Sequence, residues 1–127
     1  SKAGAAFVAP ALASLAPAGM TVLVTDTPYK AYALTAQAYY PDTYPDSEIS
    51  ASAFVDPQAQ IGAGVVVEPG AVIMAGAVIG DGCWIESNAV IGRGVVLGPR
   101  CRIGANATVS HAVIGQSTRL YPGARIG

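Results

Sequence analysis

The sequence predicts a mainly β protein, a left-handed parallel β-helix preceded by part of a small α/β domain. The first observation is a period of six: Ile49, Val55, Ile61, Val67, Ile73, Ile79, Ile85, Ile91, Leu97, Ile103 and Val109 follow one another at that interval. The second is a companion series two residues earlier, Ala53, Ala59, Val65, Ala71, Ala77, Cys83, Ala89, Val95, Cys101 and Ala107, most of them small. The third is a set of turn formers three residues after, Gly64, Gly70, Gly76, Gly82, Asn88, Gly94 and Asn106, which adopt positive φ at little cost. A period of six fits neither an amphipathic helix nor an alternating hairpin sheet. It fits a solenoid in which each hexad is a short strand plus a tight turn and three hexads close one triangular coil. Strand side chains alternate, so both apolar series point inward and the residue between them points out.

Taken in chain order, Ala5 to Val8 reads as a short strand, residues 9–19 as a loop with one helical turn, and Thr21 to Thr25 as a second strand dense in β-branched residues. Thr27 as N-cap and Pro28 at the first helical position start a helix over Pro28–Tyr40. Tyr29, Tyr32, Ala33, Ala36 and Tyr40 form one apolar stripe along it, and Pro41 ends it. Residues 42–47 are a polar linker. Residues 1–46 thus form strand, loop, strand and helix, too little to bury a core alone. They read as the later part of an α/β domain. Residues 47–127 form the β-helix, about four coils at roughly eighteen residues each. The rhythm slips by one between Val109 and Ile114, then resumes at Leu120 and Ile126.

The net charge of −1 gives no global pull toward nucleic acid or an anionic membrane. Its distribution is more telling, because the first 86 residues carry −6 and the remainder +5. No apolar run approaches the roughly eighteen residues of a membrane-spanning helix. The alanine-rich opening stretch is broken by Gly4 and Pro10, unlike a secretory leader, and a cytoplasmic location is expected. Cys83 and Cys101, eighteen apart, are expected to stack inward as free thiols. They lack the spacing of a zinc site, and no metal or cofactor is expected. Gly80-Asp81-Gly82 and Gly92-Arg93-Gly94 lack the third glycine of a dinucleotide fingerprint and read as repeat turns.

The outward positions include Phe54, Val66, Val72, Val78, Trp84, Val90, Val96 and Val113, a large apolar surface for a lone solenoid. Side-by-side packing of several copies is expected. Trp84, Arg102 and Arg119 share one outward column, where Arg102 can lie over Trp84 and the basic end can receive an acidic partner. His111 is the single histidine, with Arg93 eighteen residues earlier expected beside it, where its charge disfavours the imidazolium. Glu86 is the last acid, so no later carboxylate can orient His111 as a base.

A strand followed by Thr27-Pro28-Tyr29-x-Ala31-Tyr32-Ala33, a linker, and Ile49-Ser50-x-x-Ala53-x-Val55-Asp56-Pro57-x-Ala59-x-Ile61-Gly62 resembles the UDP-3-O-acylglucosamine N-acyltransferases of lipid A synthesis. The segments Ile114-Gly115-Gln116 and Leu120-Tyr121-Pro122-Gly123-Ala124-Arg125-Ile126-Gly127 look similar to the same family. The hexads alone are shared by many acyltransferases; the helix joined to them is the more specific part. The resemblance implies a uridine-binding α/β domain before the β-helix, a homotrimer, and transfer of a 3-hydroxyacyl chain from acyl carrier protein to the 2-amine of a UDP-3-O-acyl-glucosamine. Acyl carrier protein is then the candidate acidic partner for Arg102 and Arg119. The family's catalytic histidine follows an Asp-Gly-Phe-Gly stretch expected just beyond Gly127, and its uracil-stacking aromatic and asparagine are expected upstream of Ala5. The 127-residue chain alone is therefore expected to be inactive, with His111 a weaker candidate for the base. The alternatives are another hexapeptide-repeat O-acyltransferase or acetyltransferase, and a non-catalytic structural solenoid. An O-acyltransferase would start directly with its repeats. A carbonic-anhydrase-like solenoid needs three histidine ligands, and an ice-binding one needs outward threonine rows.

Overall fold

The computed structural model describes residues 3–127, which fall into two compact units divided between Tyr44 and Pro45. The first unit holds β1 (Ala5–Val8), a 3-10 helix (Pro10–Leu15), β2 (Thr21–Val24) and α1 (Pro28–Tyr39). β1 and β2 pair in parallel, Ala5 opposite Thr21 through Val8 opposite Val24. Thr27 is the N-cap of α1, but its hydroxyl caps nothing; its own N–H donates to Thr25 Oγ1 at 3.2 Å. The tyrosine stripe expected to be an apolar face stays in solvent, with Tyr29 92% and Tyr40 84% exposed. The physical reason is that two strands and one helix offer no second layer. Among the described residues, none before Val65 is buried.

The second unit is a parallel β-helix of thirteen two-residue strands. They are β3 (Phe54–Val55), β4 (Gln60–Ile61), β5 (Val66–Val67), β6 (Val72–Ile73), β7 (Val78–Ile79), β8 (Trp84–Ile85), β9 (Val90–Ile91), β10 (Val96–Leu97), β11 (Arg102–Ile103), β12 (Thr108–Val109), β13 (Val113–Ile114), β14 (Arg119–Leu120) and β15 (Arg125–Ile126). Every third strand pairs in parallel, making three faces. The first face is β5-β8-β11-β14, the second β3-β6-β9-β12-β15, and the third β4-β7-β10-β13. Backbone bonds join coil to coil, as in Phe54 N–H to Ala71 O at 2.9 Å and Trp84 N–H to Cys101 O at 2.8 Å.

The core is the two predicted inward series. Ile73, Ile85, Ile91, Ile103 and Val109 are fully buried, as are Ala71, Ala77, Cys83, Ala89, Val95, Cys101 and Ala107. At the ends of the stack Val55, Ile61, Ile114, Leu120 and Ile126 are only partly covered, because each has a neighbouring coil on one side. All seven predicted turn formers have positive φ, from 58° at Asn106 to 76° at Gly70. The sequence pattern did not mark Arg100 (φ 56°) and Ser117 (φ 55°), which occupy the same turn column as Gly64 and Gly82. Glycine is also demanded where coils meet: a Cβ at Gly80 would lie 2.7 Å from the Gly98 carbonyl carbon, and one at Gly98 2.6 Å from the Gln116 nitrogen.

The slip is absorbed in one turn. Ile91 pairs with Val109 at an offset of eighteen residues, whereas Val96 pairs with Val113 and Arg102 with Arg119 at seventeen. Val66, outward by register, is nonetheless buried at 6% exposure, in a cleft it shares with Pro45, Asp46 and Glu48.

Candidate functional site

The first face carries most of the polar chemistry. Its outward column is Val66, Trp84, Arg102 and Arg119, and a second outward column two residues on begins with Glu68 and Glu86. Each of these glutamates reaches diagonally to the next coil. Glu68 accepts hydrogen bonds from Trp84 Nε1 at 2.7 Å, Ser87 N–H at 2.9 Å and Ser87 Oγ at 2.8 Å. Glu86 repeats the arrangement one coil later, accepting from Arg102 Nε at 2.5 Å and Ala105 N–H at 2.9 Å. The Arg102 guanidinium lies 3.9 Å from the centroid of Trp84, as the eighteen-residue spacing predicts. Arg119 lies 5.4 Å from the Tyr121 ring.

This arrangement changes the reading of Arg102. Its side chain is 19% exposed, that of Glu86 14%, so the two form a largely desolvated ion pair. Much of the charge expected to greet an acidic partner is thereby neutralised within the face, and Arg102 is a fixed planar group. Glu68 shows the electrostatic consequence. Burial raises its carboxyl pKa, but donors from the Ser87 hydroxyl, the Trp84 indole and the Ser87 backbone, together with the nearby Arg102 charge, bring it below the ordinary value. The carboxylates were missed in the sequence, although Glu68 and Glu86 stand one full coil apart and each precedes its partner by sixteen residues. Trp84 and Arg102 drew notice by type; an acid two residues outside their column did not.

His111 lies at a turn on the opposite side of the register slip. It is exposed, with φ 48°. The seventeen-residue offset that begins at β13 puts it in the turn column of Gly76 (φ 71°) and Gly94 (φ 64°), so Gly94 and not Arg93 is its counterpart. Arg93 is the residue the shortened turn leaves without a match. Among the described residues no side-chain hydrogen bond orients the imidazole, so the structure assembles no base around His111.

The corner column between the third and first faces holds the two thiols. Cys83 donates to Gly98 O at 3.2 Å and Cys101 to Gly115 O at 3.0 Å; Thr118 Oγ1 reaches the same Gly115 O at 2.9 Å. Both cysteines are free and buried, and burial foremost pushes the Cys83 thiol pKa up. They are inert donors to corner carbonyls. Among the described residues no group of three or more His, Cys, Asp or Glu could hold a metal ion, and no helix is long and apolar enough to cross a membrane. In the first unit, Ala6, Phe7, Val8, Leu12, Pro28 and Tyr29 line an open cavity of about 600 Å³.

Residues 76–111 match the family model of the bacterial transferase hexapeptide (six repeats), which together with the three-sheet register makes the second unit a left-handed parallel β-helix. The chain is 56% identical over 125 residues to UDP-3-O-acylglucosamine N-acyltransferase 2 of Legionella pneumophila (strain Lens), a match covering 98% of this chain and 36% of that protein. Over nearly its whole length this chain is similar to a UDP-3-O-acylglucosamine N-acyltransferase. The protein of the same name from Legionella pneumophila (strain Paris) is 48% identical over 120 residues, 94% of this chain and 35% of that one. The chain therefore spans about a third of the length of these N-acyltransferases. Among solved structures it is similar to the acetyltransferase domain of PglB from Neisseria gonorrhoeae FA1090, at 19% identity and a TM-score of 0.31, covering 90% of this chain and 65% of that one. The likeness to the N-acyltransferases runs through both units, including the Thr27–Ala33 segment outside the repeats.

Proposed function

We propose that the whole protein is an N-acyltransferase that moves a 3-hydroxyacyl chain from acyl carrier protein onto the 2-amine of a UDP-3-O-acyl-glucosamine, in lipid A biosynthesis. The observation that carries this reading is the extent of the similarity. Hexads alone are common to many acyltransferases, whereas 98% of this chain, first unit included, aligns with a protein of that name. In this reading residues 1–46 belong to a uridine-binding domain and residues 47–127 to the solenoid that builds the catalytic cleft. The enzyme works in the cytoplasm as a homotrimer. His111, exposed in a left-handed turn, is structural, and the general base is sought elsewhere in the whole protein.

Carrier-protein docking is assigned to the basic end of the first face. Arg119 is its principal contact, and Arg102 serves as a rigid neighbour whose charge Glu86 partly offsets. The test is a donor and acceptor matrix on the whole protein. A 3-hydroxyacyl carrier protein with UDP-3-O-acyl-glucosamine should turn over at least a hundredfold faster than acetyl-coenzyme A with a UDP-sugar lacking the O-acyl chain. The reverse preference would favour a hexapeptide-repeat acetyltransferase instead.

A further inference from the structure

The turn columns of the solenoid favour glycine and asparagine, because both enter positive φ at little cost. The column between the third and first faces holds Gly64, Gly82, Arg100 and Ser117. Arg100 has φ 56°, and among the described residues it is the only positive-φ residue with a permanent charge. Nothing in the fold asks for an arginine there. Its N–H donates to Asp81 O at 2.8 Å, a rung that a glycine would supply equally. Its stem makes no more than ordinary contact with the preceding coil, Cγ lying 3.6 Å from where a Cβ on Gly82 would stand. The residue is exposed, and among the described residues its guanidinium meets no carboxylate. A long side chain thus occupies a backbone conformation that disfavours it, without packing or pairing to offset the strain. Backbone strain of this kind gathers at ligand clamps and functional sites.

The position of Arg100 points to what it serves. It stands two residues before Arg102, at the edge of the first face, and Arg102 pairs with the exposed Arg119 in the next coil. No acid follows Glu86 in the sequence, and Glu86 is engaged with Arg102. Three arginines against one glutamate leave this edge at +2. Without Arg100 the surplus would be a single charge, and one exposed cation contributes little to recognition. We propose that Arg100 is a specificity residue for the acyl donor, a second exposed cation that meets carboxylates of the carrier protein beside Arg119. The proposal rests on the carrier-protein docking assigned above and adds to it a residue held at the expense of the turn. Exposed charges of this kind steer encounter and set salt dependence. The contribution of Arg100 therefore lies in capture of the donor and not in the chemical step.

The experiment compares Arg100→Gly and Arg100→Lys with wild type in the whole protein. Arg100→Gly removes the charge and relieves the turn, so it should raise the midpoint of urea unfolding, and a folding failure cannot mimic the functional loss. At low salt its KM for a 3-hydroxyacyl carrier protein should rise at least fivefold, with kcat and the KM for UDP-3-O-acyl-glucosamine within about twofold of wild type. Arg100→Lys keeps the charge and should recover most of that loss. The gap between wild type and Arg100→Gly should shrink below twofold at about 0.5 M salt, where a Debye length of roughly 4 Å screens exposed charges. An unchanged KM for the carrier protein at low salt overturns the proposal and leaves Arg100 a solvated edge. A raised KM for the sugar nucleotide alone also overturns it, placing a phosphate and not a protein against the guanidinium. A lowered unfolding midpoint in Arg100→Gly overturns it by showing that the arginine serves the fold. A wild-type protein that accepts no acyl group from a carrier protein overturns the donor reading and this proposal together, a result distinct from an unchanged KM.

Discussion

Replacing Glu86 by alanine tests the diagonal clamp of the first face most sharply. The substitution removes the partner of Arg102 and the acceptor of the Ala105 N–H. Hydrogen bonds to charged groups contribute about 1.5–3 kcal/mol each, and two lost in full would cost about 3–6 kcal/mol. Ala105 is only half buried, so water replaces part of its bond, and Arg102 keeps its seat over Trp84. The expected loss is therefore about 2–3 kcal/mol. Glu86→Gln keeps one of the two acceptor oxygens and loses the charge, and should cost about 1–2 kcal/mol. A double-mutant cycle with Arg102→Met should give a coupling of about 1–2 kcal/mol. Urea denaturation followed by fluorescence suits the purpose, because Trp84 is the only tryptophan and lies directly beneath Arg102. Stability within 0.5 kcal/mol of wild type for Glu86→Ala, or no coupling to Arg102, would refute the clamp at the level ordinary for a surface ion pair.

The depressed pKa of Glu68 gives a pH signature. Its folded-state value lies below the unfolded value near 4.5, so its contribution is fully present above that pH and is lost as pH falls through the folded value. Wild type should therefore lose stability relative to Glu68→Gln only below about pH 4.5, and a difference that persisted unchanged to pH 2 in acid melts would contradict the assignment. Cys101→Ser keeps a donor toward Gly115 O and should stay within about 1 kcal/mol of wild type, while Cys101→Ala loses the bond and leaves a void, costing about 2 kcal/mol in the same urea melts. Both thiols should react with a thiol reagent only after denaturation. At the slipped turn, His111→Gly should stabilise by about 0.5–1 kcal/mol, since glycine enters positive φ freely. The same variant should keep kcat/KM of the whole protein within about twofold; a loss of a hundredfold or more would make His111 a member of the catalytic apparatus after all.

The solenoid was legible because its rule is local and repeated. One aliphatic residue every six positions fixes strand, turn and inward direction together, and a single register then places Trp84 beneath Arg102. Arg119 stayed aligned because the short turn at Val109–Ile114 removes one residue without disturbing the strands after it. What escaped the pattern was set by neighbours across coils. The diagonal reach of Glu68 and Glu86 depends on side-chain length and rotamer, which a period of six does not encode. The same holds for His111, where two countings of the slip give Arg93 or Gly94 as the counterpart, and the strand register together with φ decides for Gly94. The tyrosines of α1 misled for a different reason. Helical spacing predicts a stripe, but burial needs a second layer, and two strands do not supply one.

The central claim is that the protein forms an amide on a sugar nucleotide. The direct measurement is the product of the whole enzyme with a 3-hydroxyacyl carrier protein and UDP-3-O-acyl-glucosamine, followed by mass spectrometry before and after mild alkali. The account predicts a product one hydroxyacyl group heavier that, after alkali removes the ester-linked chain, still carries the new one. A new acyl group lost with the ester, or no transfer to the free amine, would contradict it.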